Sequence, residues 1–239
     1  GPLKLEALAF SPDGFQLAAT DDSGRVWPWK AQSSGILQAL PRSAGSVDAL
    51  LFAAGGHLLV VAGDGGEVMS WDTQSETLRS RWKAHQGRAR LAIPPGSAAQ
   101  MVSAGAKDGV VALWNLWNGQ ALWLNTSTGT EIAAVATDPK LSQVAVALKT
   151  RGVQILRGSD GYVERTLPME GTAWVLRYRA DGQVLLAATD RGQVRVFDTH
   201  TYQPILERRL DGVDWQTGSC SSQDDSVLLV GSKGIETQR

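Results

Sequence analysis

Three residues of the types used in nucleophilic hydrolysis lie close together in the sequence: His85, Ser103 and Asp108. In that chemistry a histidine takes the proton of a serine hydroxyl while a carboxylate orients the imidazole. The same residue types also occur as polar side chains that support a fold. The two alternatives differ in what replacing His85 does, since one predicts loss of a hydrolytic activity and the other loss of stability.

Other residues that could bind metals are few and scattered. The chain has three histidines and one cysteine. His57 and His200 have no second ligand at a metal-binding spacing, and Cys220 alone forms neither an intrachain disulfide nor a CxxC cluster. We therefore expect no metal and no cofactor, and the cysteine usage is typical of a reducing compartment.

Two further patterns look like chemical sites but suit turns better. Gly63-Asp64-Gly65-Gly66 is glycine-rich, as phosphate-binding loops are, but it leads into a predicted strand, so no helix N-terminus is available to a phosphate. The adjacent acids Asp21-Asp22 and Asp224-Asp225 would point to opposite faces of a strand and make poor acid–base pairs. The sequence therefore predicts a protein that is not an enzyme.

The overall charge is close to neutral. Lys and Arg together number 23 and Asp and Glu 24, for a net charge of −1. Such a balance gives no general attraction to nucleic acid or to an acidic membrane surface. The longest apolar stretch, residues 49–61, is interrupted by Gly55-Gly56-His57 and is too short to span a bilayer. We expect a cytoplasmic or nuclear protein that does not contact membranes.

A turn-forming sequence recurs at equal spacing along the chain. It is Ser11-Pro12-Asp13-Gly14 in the first unit, and each step of 42 residues reaches another turn between two apolar runs. The further positions are Ala53-Ala54-Gly55-Gly56, Pro95-Gly96-Ser97, Thr137-Asp138-Pro139-Lys140, Arg179-Ala180-Asp181-Gly182 and Ser221-Ser222-Gln223-Asp224. This self-similarity indicates a repeat architecture.

Each repeat unit has the pattern of four short strands. In the first unit the apolar runs predict strands over residues 5–10, 15–20, 25–29 and 36–40. A glycine-containing turn such as Gly65-Gly66 joins the second and third strands, where a two-residue hairpin requires positive φ. Since no segment has a sustained helical period, essentially no helix is expected. Four strands in about 40–45 residues are the signature of a β-propeller blade.

A large apolar residue ends the third strand of every complete unit. Unit two has Trp71-Asp72, and the equivalent pairs are Trp29-Lys30, Trp114-Asn115, Leu156-Arg157 and Phe197-Asp198. Together with the period and the turn, this slot resembles the WD40-repeat β-propeller family, whose third strand ends in Trp-Asp. The resemblance implies an all-β fold of four-stranded antiparallel blades.

The resemblance also implies a buried hydrogen-bond network in one blade, formed by His85, Ser103, Asp108 and Trp114. The carboxylate would fix the imidazole, and the hydroxyl would connect the ring to the indole N–H, so that every buried polar group is satisfied. We therefore expect the His85 set to be structural and not hydrolytic. The other blades have no histidine at this position and should depend on packing alone.

The units predict five full blades and a partial sixth. They lie near residues 5–46, 47–88, 89–130, 131–172, 173–214 and 215–239. Propellers of the family usually have about seven blades in a closed ring. We therefore expect residues 1–239 to be part of a longer chain, and to be poorly soluble alone because an unclosed ring exposes sheet edges.

The resemblance implies a ring of partner-binding residues at the mouth of the central channel. In the family the second residue of each first strand points there. Steps of 42 residues place Glu6, Asp48, Arg90, Ile132, Trp174 and Gln216 in the ring. Aromatic residues and Arg are common interface hot spots; the alternative is that Trp174 only plugs the channel.

These observations predict a non-catalytic protein-interaction scaffold, one propeller within a larger assembly, that binds proteins or peptides at the narrow face and channel mouth. The alternative is a propeller that binds RNA or ribonucleoprotein, for which Arg88 and Arg90 beside Trp174 are the only indication. A propeller hydrolase is the third possibility, disfavoured because no acid–base set converges on the channel.

Overall fold

The regular secondary structure of the described residues consists almost entirely of antiparallel strands. The computed structural model describes residues 5–30, 40, 46–95, 97, 99–126 and 128–210, and the backbone of the strands in 215–220, 227–231 and 234–238. Within these residues the one helical element is a 3-10 turn at Ala54–Gly56. The all-β fold expected from the apolar pattern is therefore confirmed.

The first three blades follow the repeat units in order. Blade 1 contains β1 (Leu5–Phe10), β2 (Gln16–Asp21) and β3 (Val26–Lys30). Blade 2 contains β4 (Val47–Ala53), β5 (Leu58–Gly63), β6 (Glu67–Asp72) and β7 (Thr77–Lys83). Blade 3 contains β8 (Ala89–Ala92), β9 (Gln100–Gly105), β10 (Val111–Asn115) and β11 (Ala121–Asn125).

The last three blades continue the pattern. Blade 4 contains β12 (Ile132–Thr137), β13 (Gln143–Leu148), β14 (Gly152–Arg157) and β15 (Val163–Leu167). Blade 5 contains β16 (Ala173–Tyr178), β17 (Val184–Thr189), β18 (Gln193–Asp198) and β19 (Pro204–Arg209). Blade 6 contains β20 (Trp215–Cys220), β21 (Val227–Gly231) and β22 (Gly234–Gln238).

Each blade is a sheet whose strands pair in sequence order, which is the simplest antiparallel meander. Blades 2 to 5 have four strands. The fourth strand expected over residues 36–40 of blade 1 lies outside the described residues except for Leu40, whose backbone N–H donates to the carbonyl of Val26 at 2.9 Å.

Tight turns between the second and third strands depend on glycine. Gly192 has φ +75°, and a Cβ at this position would overlap the carbonyl oxygen of Leu210. Only glycine accepts both the backbone conformation and the close approach without strain. The hairpin turn predicted at Arg191-Gly192 is therefore confirmed.

The hydrophobic core lies between blades. Val102, Val111 and Trp123 of blade 3 pack with Val135 and Val146 of blade 4 in one continuous cluster. Equivalent clusters lie between the other neighbouring pairs of blades in the described chain. A single sheet cannot bury both of its faces, so each blade gains stability from its neighbours.

The first strand of each blade is the innermost. Successive first strands contact one another in the order β1, β4, β8, β12, β16 and β20, whereas the fourth strands β7 and β19 are largely exposed. Leu8 and Phe10 of β1 are exposed, and the low solubility of residues 1–239 stays a prediction.

The antiparallel order gives the propeller two distinct ends. Turns between first and second strands lie at one end, which we call the A–B end. Turns between second and third strands lie at the other, together with the start of every inner strand, and we call this the B–C end. The two ends present different loops to solvent, and each can hold a separate site.

Candidate functional site

The four residues of the expected network lie together at the B–C end of blade 3. His85 precedes β8, Ser103 lies in β9, Asp108 lies in the following turn and Trp114 lies in β10. His85 Nδ1 is 3.1 Å from Asp108 Oδ2, and His85 Nε2 is 2.7 Å from Ser103 Oγ. Trp114 Nε1 donates to Ser103 Oγ at 2.7 Å. The side chains thus form one continuous chain of hydrogen bonds.

The hydrogen-bond pattern accommodates a neutral imidazole, and the burial of His85 favours that form. Because the indole N–H of Trp114 donates to Ser103 Oγ, the serine hydroxyl needs an acceptor for its own proton, and His85 Nε2 is the available one. The remaining ring proton then lies on Nδ1 and points at Asp108. Burial lowers the pKa of His85 from its usual 6.5, although Asp108 acts in the opposite direction. Geometry and desolvation therefore favour the same neutral form.

Asp108 remains ionised in this setting. Burial raises the pKa of its carboxyl, but the backbone N–H groups of Gln86 and Val110 and the His85 ring together outweigh that effect, and the pKa falls below 3.8. Both backbone N–H groups donate to the carboxylate at 3.0 Å. The carboxylate therefore ties the segment before β8 to the turn after β9.

The network is closed to substrates. Ser103 is 0% exposed and His85 is 3% exposed. The serine oxygen is already occupied by the indole N–H of Trp114, and a nucleophile must instead reach a substrate carbonyl. The arrangement supports a stabilising role and gives no support to a hydrolase triad.

Blade 1 contains a shorter version of the network, so the expectation that blades without the histidine depend on packing alone is wrong for this blade. Trp27 Nε1 donates directly to Asp21 Oδ2 at 3.2 Å, without a histidine or a serine between them. Burial opposes ionisation of Asp21, but the Ser23 hydroxyl, the Arg25 N–H and the Trp27 indole lower its pKa to about 2. The signal was present in the sequence as an acidic turn residue six positions before a tryptophan.

The buried imidazole predicts a pH dependence of stability. Since the pKa of His85 is lower in the folded state than its unfolded value of 6.5, the unfolded chain binds the proton first as the pH falls. Stability should thus be complete above pH 6.5 and decline below it, by at most about 1.4 kcal/mol per pH unit. Urea unfolding between pH 7.5 and pH 5 measures this.

A His85→Gln variant provides the control for that titration. Its free energy of unfolding should start lower but change less between pH 6.5 and pH 5. The assignment of a neutral, buried His85 would be wrong if the wild type became more stable on acidification. It would also be wrong if the unfolding free energies of both proteins had the same slope against pH.

The expected partner-binding residues lie at the start of the inner strands. Trp174 is 39% exposed, and Arg90 is also exposed. Asp48 Oδ1 accepts from Arg88 Nε at 3.2 Å, which joins blades 2 and 3 at their surface. Glu6 lies in β1 and Gln216 in β20, but their side chains are outside the described residues.

Ile132 requires a correction. It is 1% exposed and packs in the core between blades 3 and 4. Inner strands begin at Val47, Ala89, Ile132 and Ala173, so blade 4 starts one residue later than a constant step of 42 assumes. The bulge position of β12, equivalent to Trp174 in β16, is Ala133, which is itself only 3% exposed.

A β-bulge explains the exposure of Trp174. Ala173 pairs with Thr189 and Val175 pairs with Ala188, so Trp174 is the extra, unpaired residue of β16. Bulges of this kind also occur at the second residue of β1, β4, β12 and β20, whereas β8 has a continuous register. A bulge re-aims the inserted side chain, and in β16 the inserted residue, Trp174, is exposed, whereas its equivalent in β12, Ala133, is buried.

Basic residues without a carboxylate partner surround this end among the described residues. They are Arg90, Lys107, Arg151 and Arg191, all of which are exposed. Among the acids at this end, Asp48 pairs with Arg88 and Glu131 with Lys149, and the charge of Lys107 also acts on Glu131. Asp64 and Asp190 accept hydrogen bonds from Ser46 and Thr172. The bond and charge from Lys149 lower the pKa of Glu131. Arg90 was predicted from the sequence. Lys107, Arg151 and Arg191 were not, because their turns were interpreted only as hairpins.

In the part of the chain that the structure describes, no group of three or more His, Cys, Asp or Glu residues is arranged to hold a metal ion. None of the described helices has the length and apolar character needed to cross a membrane.

Comparison with known proteins identifies the fold. A solved structure described as the C-terminal WD40 domain of Sif2 matches 98% of this chain with a TM-score of 0.81 and 14% sequence identity. No family model matches the sequence, and no curated protein matches it. The chain spans 66% of the length of the Sif2 chain. The chain therefore has the WD40-type β-propeller fold.

Proposed function

We propose that this propeller is a non-catalytic scaffold within a larger assembly, and that it binds an acidic protein surface at its B–C end through Trp174. The observation that carries the proposal is the exposure of this one side chain. Trp174 is 39% exposed, whereas Ala173 and Val175 on either side are 0% and 4% exposed. Among the first four residues of β16, Trp174 is thus the one exposed to solvent.

The position of Trp174 suits an interface anchor. A tryptophan contributes a large apolar area with little loss of side-chain entropy, and it is enriched among interface hot spots. Because the bulge holds the backbone within a paired sheet, the side chain is presented from a rigid element. A residue that only plugged the channel would be expected to be more deeply covered.

The surrounding charges favour an acidic partner. Arg90, Lys107, Arg151 and Arg191 form no salt bridge among the described residues, although the charge of Lys107 acts on Glu131. Asp48 and Glu131 are paired with Arg88 and Lys149. Positive potential at the rim of an interface raises the rate of association with acidic surfaces. The expected partner is therefore a protein whose surface has exposed Asp or Glu residues around an apolar pocket.

RNA binding is the second candidate, and the same four cations favour it. RNA-binding surfaces usually combine cations with several aromatic residues on which bases stack. Trp174 is the single aromatic residue among the ring positions. The arrangement therefore fits a protein partner better than a row of bases.

Affinity capture with a nuclease arm distinguishes the two candidates. The tagged chain would be incubated with a lysate of its source cells, with and without ribonuclease, and the bound proteins identified by mass spectrometry. We expect the same proteins to be captured in both arms. Loss of every bound protein after ribonuclease treatment, with binding that falls steeply as salt rises, would replace the protein partner by RNA.

A further inference from the structure

The A–B end of the channel contains a cavity separate from the Trp174 surface. It has a volume of about 410 Å³ and is lined by residues from the ends of four inner strands. Its apolar wall includes Leu51, Phe52, Leu91, Ile93, Pro94 and Tyr178. Since these strands belong to blades 2 to 5, the radial packing of the blades itself creates the cavity.

Of the described residues that line the cavity, Arg177 is the one with a charge. No carboxylate partner for it is found among the described residues, and its guanidinium makes only a 3.4 Å contact to the backbone carbonyl of Leu176. Neighbouring Arg179, by contrast, pairs with Asp181 at 2.8 Å. A guanidinium beside an apolar wall is therefore available to an anion from outside the chain.

The acids nearest to this end are already engaged. Asp138 accepts from Ser142 Oγ at 2.7 Å and from the backbone N–H of Gln143 at 2.7 Å. Asp13 accepts from the hydroxyl of Ser11 and from the N–H of Phe15. Hydrogen bonds from these groups hold the pKa of Asp13 below its usual value. Neither carboxylate forms a salt bridge with Arg177, so the positive charge of Arg177 in the cavity is not neutralised by them.

The size and chemistry of the cavity define an occupant. Binding sites typically have volumes of about 300–1,000 Å³ with apolar walls and a few polar groups that fix orientation. Arg binds carboxylates through two parallel N–H donors. An occupant that satisfies both features carries a carboxylate beside a bulky apolar group.

We propose that this cavity binds a segment of a partner protein in which Asp or Glu is adjacent to a large apolar residue. The carboxylate pairs with Arg177, and the apolar side chain packs against Leu91 and Ile93. The identification of the occupant as a protein segment rests on the scaffold function proposed above. The site itself is new and lies at the opposite end of the channel from Trp174.

Fluorescence anisotropy with a defined peptide panel tests the proposal. Labelled peptides in a Gly/Ser background carry a central Glu or Asp next to Leu, Ile or Phe, in both orders, and matched peptides carry Gln or Asn in place of the acid. At least one acidic peptide should bind the full chain, and its matched amide peptide should bind about tenfold or more weakly.

Two variants locate the binding. Arg177→Gln should weaken the binding of the acidic peptide about tenfold or more. Pro95→Glu adds a negative charge at the exposed rim of the cavity and should also weaken this binding. Arg208→Gln, an exposed arginine in the outer strand β19, is the matched control and should change nothing. Thermal melts establish that each variant is folded.

Several results would overturn the site. They are the absence of binding by every acidic peptide, equal binding by the amide peptides, and unchanged binding by folded Arg177→Gln. Arg177-dependent binding of decanoate with no peptide binding would reassign the cavity to a small carboxylate. Peptide binding lost in Trp174→Ala but kept in Arg177→Gln would place the peptide at the B–C end, and the scaffold function would stand without this cavity.

Discussion

Gly105→Ala is expected to lower the free energy of unfolding by about 3 kcal/mol, because the added methyl group collides with the buried network around His85. A Cβ on Gly105 would overlap the carboxylate of Asp108 and would lie 2.6 Å from His85 Nδ1. The backbone of Gly105 is fixed by pairing with Ala89, so it cannot move aside easily. The added methyl group must therefore displace the buried acid or the imidazole and leave polar atoms without partners.

The change should be measured by urea unfolding and by thermal denaturation. For a chain of this length a loss of about 3 kcal/mol corresponds to a decrease in Tm of about 6–12 °C. Gly65→Ala is the matched control, because a Cβ there meets only Lys83 Nζ at 3.9 Å, and we expect a change within about 0.5 kcal/mol. Equal stability of Gly105→Ala and wild type would mean that the network contributes little.

Trp174→Ala is expected to weaken partner binding about thirtyfold or more while leaving the fold intact. Removing an aromatic hot spot costs about 2 kcal/mol or more of binding free energy, and each 1.4 kcal/mol is a factor of ten in Kd. Because Trp174 is an unpaired bulge residue outside the core, its loss should change the stability by less than about 1 kcal/mol.

The measurement is the Kd of a partner obtained by affinity capture, determined by titration calorimetry with wild type and variant. Ile205→Ala removes another exposed apolar side chain, on the outer strand β19, and should leave the Kd unchanged. A Kd for Trp174→Ala within twofold of wild type would remove this residue from the interface. The channel-plug alternative predicts that outcome together with a clear loss of stability.

Much of the fold could be predicted because each blade repeats the same physical solution. The apolar runs recur in each unit, and so does the tight turn between the second and third strands, of which Arg191-Gly192 is one example. Every blade must bury two faces and reverse direction at the same places. Neighbouring positions in the sequence were therefore enough to locate the strands to within about a residue.

The exposed positions were harder to predict, because they depend on register. A constant step of 42 placed Ile132 at the channel mouth, but the inner strand of blade 4 begins one residue later, and that slip turns the side chain into the core. The bulge at Trp174 has no sequence marker of its own. It becomes visible only in the pairing of Ala173 and Val175 with the next strand.

Pairing between distant charges was also invisible in the sequence. Arg88 pairs with Asp48 across two blades, which leaves Arg90 as the cation available to a partner. The network around His85 was accessible because its residues resemble a family pattern. The shorter contact between Asp21 and Trp27 lacks that pattern and emerged only from the geometry.

Hydrogen–deuterium exchange of the full chain, with and without its captured partner, tests the scaffold role most directly. We expect partner binding to slow exchange at residues 172–175 and 88–91 of the B–C end, and to leave the outer strand β19 unchanged. Protection confined to β19 or the other outer strands, with none around Trp174, would contradict the account.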